Sequence, residues 1–218
     1  MGLLNLDALA QTPLQTDPFD YLVVDHFLDE AAKDQILSGF PEMPDAGSFP
    51  LSEIDVVPGL QAVFDALDGP DFRAVIERKF NLNLAGRPTV FTLRGRCDAR
   101  DGRIHTDSKK KIVTVLLYLN DGWQEEGGRL RLLRNGEDLN AAAAEVSPAF
   151  GSLLVFRRSD KSFHGHEPFV GPRKAIQMNW MVSSHVAAWE QLRHRISAAA
   201  KRLKGGRGEA GRPAKHAA

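Results

Sequence analysis

Two stretches of the chain hold most of the residues able to do chemistry. The first is "RIHTDSKKKIVTVLLYLN", Arg103 to Asn120, where His105 and Asp107 stand two residues apart. The second is "SFHGHEPFVGPRKAIQMNW", with His164, His166 and Arg173. In extended chain, residues i and i+2 face the same way, so His105 and Asp107 present an imidazole and a carboxylate to one point, with Thr106 turned away. A surface His/Asp pair looks the same, so this triplet alone decides nothing. A non-haem Fe(II) centre needs two histidines and one carboxylate on one face, with the remaining positions open for co-substrate and O2. Of the seven histidines, His26 falls in the N-terminal helical region, His185 and His194 near or in the last helix, and His216 in the tail. His164 and His166 remain, about sixty residues beyond His105, a separation that a barrel closes by bringing a later strand back beside an earlier one. Alternation does not separate these two, since both can face the same side. Arg173 follows His164 by nine residues, past a turn at Gly171–Pro172. A buried guanidinium requires an anion, and a dicarboxylate co-substrate would be gripped by two parallel hydrogen bonds.

These groups need a scaffold. After Gly86 the chain reads as short strands rich in Val, Ile, Leu and Phe: "PTVFTLRGR", "KIVTVLLYLN", "RLRLLR", "GSLLVFRR" and "RKAIQMNWMV", separated by Gly, Asp or Pro turns. Before it come an apolar strand in "DYLVVDHFL", a helical "DEAAKDQILSGF", and two helices over Leu60–Asp68 and Pro70–Phe80. Strands after helices predict an α+β, mainly β protein with a sandwich or barrel core. The expected divisions are a flexible N-terminus over 1–18, a helical support region over 19–85, the core over 86–184, a C-terminal helix over 185–204 and a disordered basic tail over 205–218. Residues 41–58 and 134–148 read as loops.

Lys plus Arg equals Asp plus Glu at 28 each, so there is no general pull toward nucleic acid or an acidic membrane, and no nucleic-acid partner is expected. No uncharged apolar run approaches the length of a membrane span, and the N-terminus is a poor signal peptide. With the single Cys97, this predicts a cytoplasmic protein in a reducing compartment. "KKK" at Lys109–Lys111 reads as a solvated turn, Gly127–Gly128 as a tight turn or bulge, and Arg94, Arg96, Arg100 and Arg103 as exposed strand-edge charges or anion contacts. Trp123, Trp180 and Trp189 read as core or pocket wall.

Residues of roughly 88–183 resemble the 2-oxoglutarate/Fe(II)-dependent dioxygenases of the prolyl 4-hydroxylase-like superfamily. The resemblance is carried by "HTD", by "TVLLYLN" with Trp123 three residues on, and by "GGRLRL", "GSLLVFRRSD" and "FHGHEPFVGPR" in this order. It implies a double-stranded β-helix (jelly-roll) core with supporting N-terminal helices and a C-terminal helix. It implies His105, Asp107 and His164 as iron ligands, since the family's second histidine stands four residues before a proline, here Pro168, and nine or ten before the basic residue. His166 satisfies neither spacing and reads as a pocket-lining residue, a substrate contact, or a rim residue with no role. Arg173 would bind the distal carboxylate of 2-oxoglutarate, supported by Tyr118. Where many relatives carry Ser or Thr two residues after the arginine, this chain has Ala175. The ligand carboxylate argues against halogenation, which needs that position free for chloride.

The activity so implied is hydroxylation of an unactivated C–H of a protein side chain, such as a prolyl residue, or of a small molecule. O2 would be consumed, succinate and CO2 released, and ascorbate would assist as reductant, as in many relatives. The other reading is a non-catalytic jelly-roll protein binding a metal or ligand; Arg173 weighs against it, because a purely structural metal site has no use for a co-substrate clamp.

Overall fold

In the computed structural model, which describes residues 2–43 and 45–188, alternation along four strands decides what faces the cavity. The elements are α1 (Leu6–Gln11), β1 (Tyr21–Val24), α2 (Lys33–Ser38), β2 (Phe49–Pro50), α3 (Pro58–Asp68), α4 (Pro70–Phe80), β3 (Thr89–Cys97), β4 (Lys111–Tyr118), β5 (Leu130–Leu133), β6 (Ala142–Val146), β7 (Leu153–Arg157), β8 (His164–Gly165) and β9 (Gly171–Met181). A six-stranded antiparallel sheet runs β1-β7-β4-β9-β3-β2, and a smaller one runs β6-β5-β8. This is the jelly-roll expected, mainly β with supporting helices.

Odd positions of β4, Val113, Val115 and Leu117, join Ile176, Met178 and Trp180 of β9 in one apolar cluster with Val63, Phe64, Phe72 and Ile76 of α3 and α4. The even positions turn the other way: Tyr118, with Leu154 and Phe156 of β7, packs on Leu130, Leu132 and Val146 of the small sheet. A side-chain period of two thus gives the large sheet one face for the helices and one for the cavity. The helix side is well filled: Phe72 stacks on Trp180 at 6.0 Å between ring centroids, and burying such a phenylalanine contributes about 1.5–3 kcal/mol. Helix α4 is bounded as its composition predicts. Pro70 and Asp71 occupy its first turn, Arg78 and Lys79 its last, and Asn81 closes it in the left-handed conformation at φ 49°.

Four places depart from expectation. The first eighteen residues, expected to be flexible, carry α1, with Asn5 Oδ1 accepting from Ala8 N and Leu9 fully buried against the helices. β1 and β2, both before residue 86, are the edge strands of the large sheet, so support region and core share one sheet. The loop expected over 134–148 contains β6, whose "AAAEV" has Val146 as its one usual strand former. Its ladder to β5 overrides propensity once Asn135 Oδ1 has bound the N–H groups of Glu137 and Asp138 and turned the chain. Likewise the loop expected over 41–58 contributes Phe49 and Pro50 to the sheet edge, opposite Leu93 and Thr92. Helix is described over 184–188, and the rest of the expected C-terminal helix and the basic tail lie outside the described residues. No described helix is long and apolar enough to cross a membrane.

Candidate metal centre and its cavity

His105 and His164 are brought together by backbone pairing. Each donates its N–H to the other's carbonyl at 3.0 Å, an isolated bridge that extends the small sheet by one residue. Directly opposed residues in an antiparallel pair share a face, and the two rings lie 4.3 Å apart between centroids. Asp107, two residues on, completes the set. Its carboxylate oxygen and one nitrogen of each ring all lie within 4.8 Å of one another, a grouping able to hold a metal ion. His164 and Asp107 are buried, while His105 is exposed at the mouth.

The rings are oriented for this. His105 Nδ1 lies 2.8 Å from the Arg103 carbonyl, and His164 Nδ1 lies 2.9 Å from the Ser162 carbonyl. A carbonyl only accepts, so both Nδ1 atoms carry the proton and both Nε2 atoms keep a lone pair for a cation. His164 is pushed down to about 4, chiefly by burial, with Asp107 opposing and His105 adding to the effect. It is therefore neutral near pH 7, as a metal ligand must be.

Asp107 is held from two sides. Lys111 Nζ donates to Oδ1 at 2.7 Å and Thr114 Oγ1 donates to Oδ2 at 2.5 Å. Thr114 Oγ1 in turn accepts from Asn179 Nδ2 at 2.9 Å, and Asn179 Oδ1 accepts from Gln177 Nε2 at 3.0 Å. Thr114 and Asn179 meet because they are register partners across β4 and β9. Burial raises the Asp107 carboxyl, but Lys111, His164 and Thr114 outweigh it and hold it below the usual carboxylate range. The donor set is thus one carboxylate and two imidazoles, the set that suits Fe(II) with open positions.

At the other end of the cavity lies Arg173, 5% exposed. Its Nε donates to the Gly128 carbonyl at 2.7 Å and its Nη2 to Tyr118 Oη at 3.2 Å, with the guanidinium carbon 5.0 Å from the Tyr118 ring centre. Tyr118 pairs with Ala175 and is therefore the diagonal neighbour of Arg173, within reach of a long side chain. Gly128 has φ +74°, and a Cβ there would come within 2.9 Å of the Trp123 ring, so the turn that aims this carbonyl requires glycine. All five residues singled out in the sequence, His105, Asp107, His164, Arg173 and Tyr118, line one cavity of about 130 Å³. His166 lines it too, as does Ala175. His166 donates from Nδ1 to the Glu167 carbonyl at 2.8 Å, and burial followed by Arg173 pushes it down to about 4.

Sequence reasoning missed the supports. Lys111 is not solvated but ion-paired to Asp107, because it opens β4 with its side chain turned inward. Thr114 and Gln177 were passed over, although Thr114 shares the parity of Tyr118 in an otherwise apolar strand, a legible signal; Gly128 was read as a turn, but not as the carbonyl that holds Arg173. Arg94, read as a strand-edge charge or an anion contact, faces the cavity, with its Nη1 2.9 Å from Asp101 Oδ2.

Residues 96–182 match the family model of the 2OG-Fe(II) oxygenase superfamily. The matched segment is less than half of the chain, carries His105, Asp107, Tyr118, His164 and Arg173, and supports a dioxygenase that uses Fe(II) and 2-oxoglutarate. No curated protein matches the chain in sequence. Among solved structures, it is similar to a prolyl-4-hydroxylase from Pseudomonas putida at 21% identity and a TM-score of 0.53, covering 82% of this chain and 97% of that one. It is similar to a prolyl 4-hydroxylase from Phytophthora capsici at 18% identity and 0.56, covering 90% and 76%. A third is the Trichoplax adhaerens prolyl hydroxylase in complex with a hypoxia inducible factor peptide, at 18% identity and 0.52, covering 84% and 91%. At these identities the likeness is one of fold.

Proposed function

We propose that the chain hydroxylates an unactivated C–H bond, with His105, Asp107 and His164 holding Fe(II) and Arg173 holding the distal carboxylate of 2-oxoglutarate. The observation that carries this is the single cavity joining a two-histidine, one-carboxylate set to a buried guanidinium with no carboxylate on it among the described residues. When bound, the metal and co-substrate supply the oxidising power, with succinate and CO2 as co-products. The chain does the rest. Gly128 and Tyr118 fix the guanidinium plane so that it meets a carboxylate with two parallel donors. Lys111 and Thr114 hold Asp107 ionised, and Thr114 keeps it turned toward the rings. His105, at the exposed end, marks the side from which substrate enters. The substrate is a protein side chain, prolyl among the candidates, or a small molecule, and the fold likeness to prolyl hydroxylases puts prolyl peptides first for testing. Ascorbate assists turnover by keeping the iron reduced.

Purified protein given Fe(II), 2-oxoglutarate and O2 is expected to release succinate without substrate and faster with an accepted one. Prolyl peptides and free amino acids form the first panel, read by mass gain of one oxygen. No succinate under any of these conditions, together with metal binding untouched by His105→Ala, would sink this reading.

A further inference from the structure

Neither the three ligands nor the arginine clamp requires Lys111. It stands four residues after Asp107, and its Nζ lies 2.7 Å from Asp107 Oδ1, with side-chain exposures of 11% and 9%. Its neighbour in the run, Lys109, is 79% exposed and comes no nearer than 3.8 Å to Asp160. An ammonium buried this far costs several kcal/mol unless it is paired, and the anion it pairs with belongs to the metal set. With Thr114 Oγ1 on Oδ2, both oxygens of Asp107 are bound by the chain's own groups.

We propose that Lys111 is a built-in counter-cation of the metal centre. It neutralises Asp107 while the site holds no metal, and its charge lowers the affinity for a divalent ion. The inference rests on the reading that the triad binds the metal. The sign follows from Coulomb's law. Without Lys111, Asp107 would be a buried carboxylate with no ammonium against it, which destabilises the metal-free fold. With Lys111, a divalent cation arrives beside a positive charge already on the same carboxylate and is repelled. Thr114 keeps the carboxylate in place, so the lysine is not needed to aim it. The chain therefore folds with the site empty and releases metal more readily than the ligand set alone would allow.

The role is one of charge, and its signature is that removing the charge moves two quantities in opposite directions. The test is Mn(II) titration by calorimetry, with thermal melts of the metal-free protein. Lys111→Gln keeps a donor for Asp107 and removes only the charge, and Lys111→Met removes both. Both are expected to bind Mn(II) about tenfold more tightly or better, while the metal-free melting temperature falls. Lys109→Gln should change neither. Mn(II) affinity unchanged or weakened in Lys111→Gln, with His105→Ala abolishing binding, would overturn the role of Lys111 alone. No Mn(II) binding by the wild type, or binding that survives His105→Ala, would overturn the metal centre itself and this role with it.

Discussion

The two ends of the cavity are built differently. The histidines of the metal end sit on short, local structure: β8 is two residues long, and His105 joins it through one bridge with two hydrogen bonds. The clamp end sits on long strands. Tyr118 closes the eight residues of β4 and Arg173 lies near the start of the eleven of β9, paired over most of their length. Asp107 joins the two ends, being close in sequence to His105 but held by Lys111, Thr114 and, through Thr114, Asn179 of the large sheet. A site made this way has a clamp fixed by the core and a metal end that depends on its own few contacts and on the ion. Variants at the metal end should therefore act on metal binding, and variants at the clamp end on co-substrate binding with the metal retained.

The largest effect is expected from removing a ligand. His105→Ala and His164→Ala should lose Fe(II) binding and turnover by more than the 10–100-fold that follows loss of a ligand's hydrogen-bond partner. His105→Ala should leave the melting temperature of the metal-free protein nearly unchanged, since the residue is exposed and its bridge is made by backbone. Metal titration and succinate release measure this. Metal binding that persists in either variant would break the division. Next comes Arg173→Leu. Leaving one member of a desolvated charge pair alone costs about 2–5 kcal/mol, so the KM for 2-oxoglutarate should rise roughly a hundredfold or more, with Mn(II) affinity in the absence of co-substrate unchanged.

Acid should reach both ends, through one histidine at each. His164 and His166 are both pushed down to about 4, whereas an imidazole in the unfolded chain titrates near 6.5. Between those values the unfolded chain binds protons that the folded chain does not, so stability falls as pH drops from about 6.5 to about 4 and levels off below. Each group contributes up to roughly 3 kcal/mol to that loss. Asp107, held low by its partners, adds a further loss below the usual carboxylate range. Denaturant melts of metal-free protein across this window, repeated with His166→Gln, should halve the slope. An unaltered slope in that variant would show that His166 titrates normally.

What was legible in the sequence divides along the same line. The long strands announced themselves because β-branched and aromatic residues repeat over eight or more positions. Helices α3 and α4 did so because their apolar residues recur at helical spacing and Pro70 opens the second; α3 starts two residues before the expected Leu60, at Pro58. β8 and the His105 bridge are too short to carry any periodic signal, and only the resemblance chose His164 over His166. Both histidines do line the cavity, as alternation allowed. β6 was illegible because "AAAEV" has Val146 as its one usual strand former and is recruited by β5. Lys111 was misread because a run of three lysines suggests solvent, and because the register shift between Lys111 and Val113 breaks the alternation that would otherwise put it on the helix side.

The smallest effect tests the finest point of the comparison, whether the clamp is a pair or a single residue. Tyr118 is fully buried, and its hydroxyl accepts from Arg173 Nη2 at 3.2 Å while its ring lies under the guanidinium. Tyr118→Phe keeps the ring and its packing and removes only the hydroxyl. One hydrogen bond to a charged partner contributes about 1.5–3 kcal/mol, but the guanidinium keeps Gly128 O and the cation–π contact. The loss should therefore fall at the low end, roughly tenfold in the KM for 2-oxoglutarate, with metal affinity and melting temperature unchanged. If the hydroxyl only orients Arg173, glutarate and 2-oxoglutarate should weaken by the same factor as competitive ligands of the Mn(II) form. If it also donates its own proton to the bound carboxylate, which its acceptance from Arg173 leaves free to do, the loss should disappear for a monoacid such as pyruvate, which has no distal carboxylate. A Tyr118→Phe protein with an unaltered KM would leave the clamp to Arg173 and Gly128 alone, and would make the clamp end as dependent on a single side chain as the metal end is on each ligand.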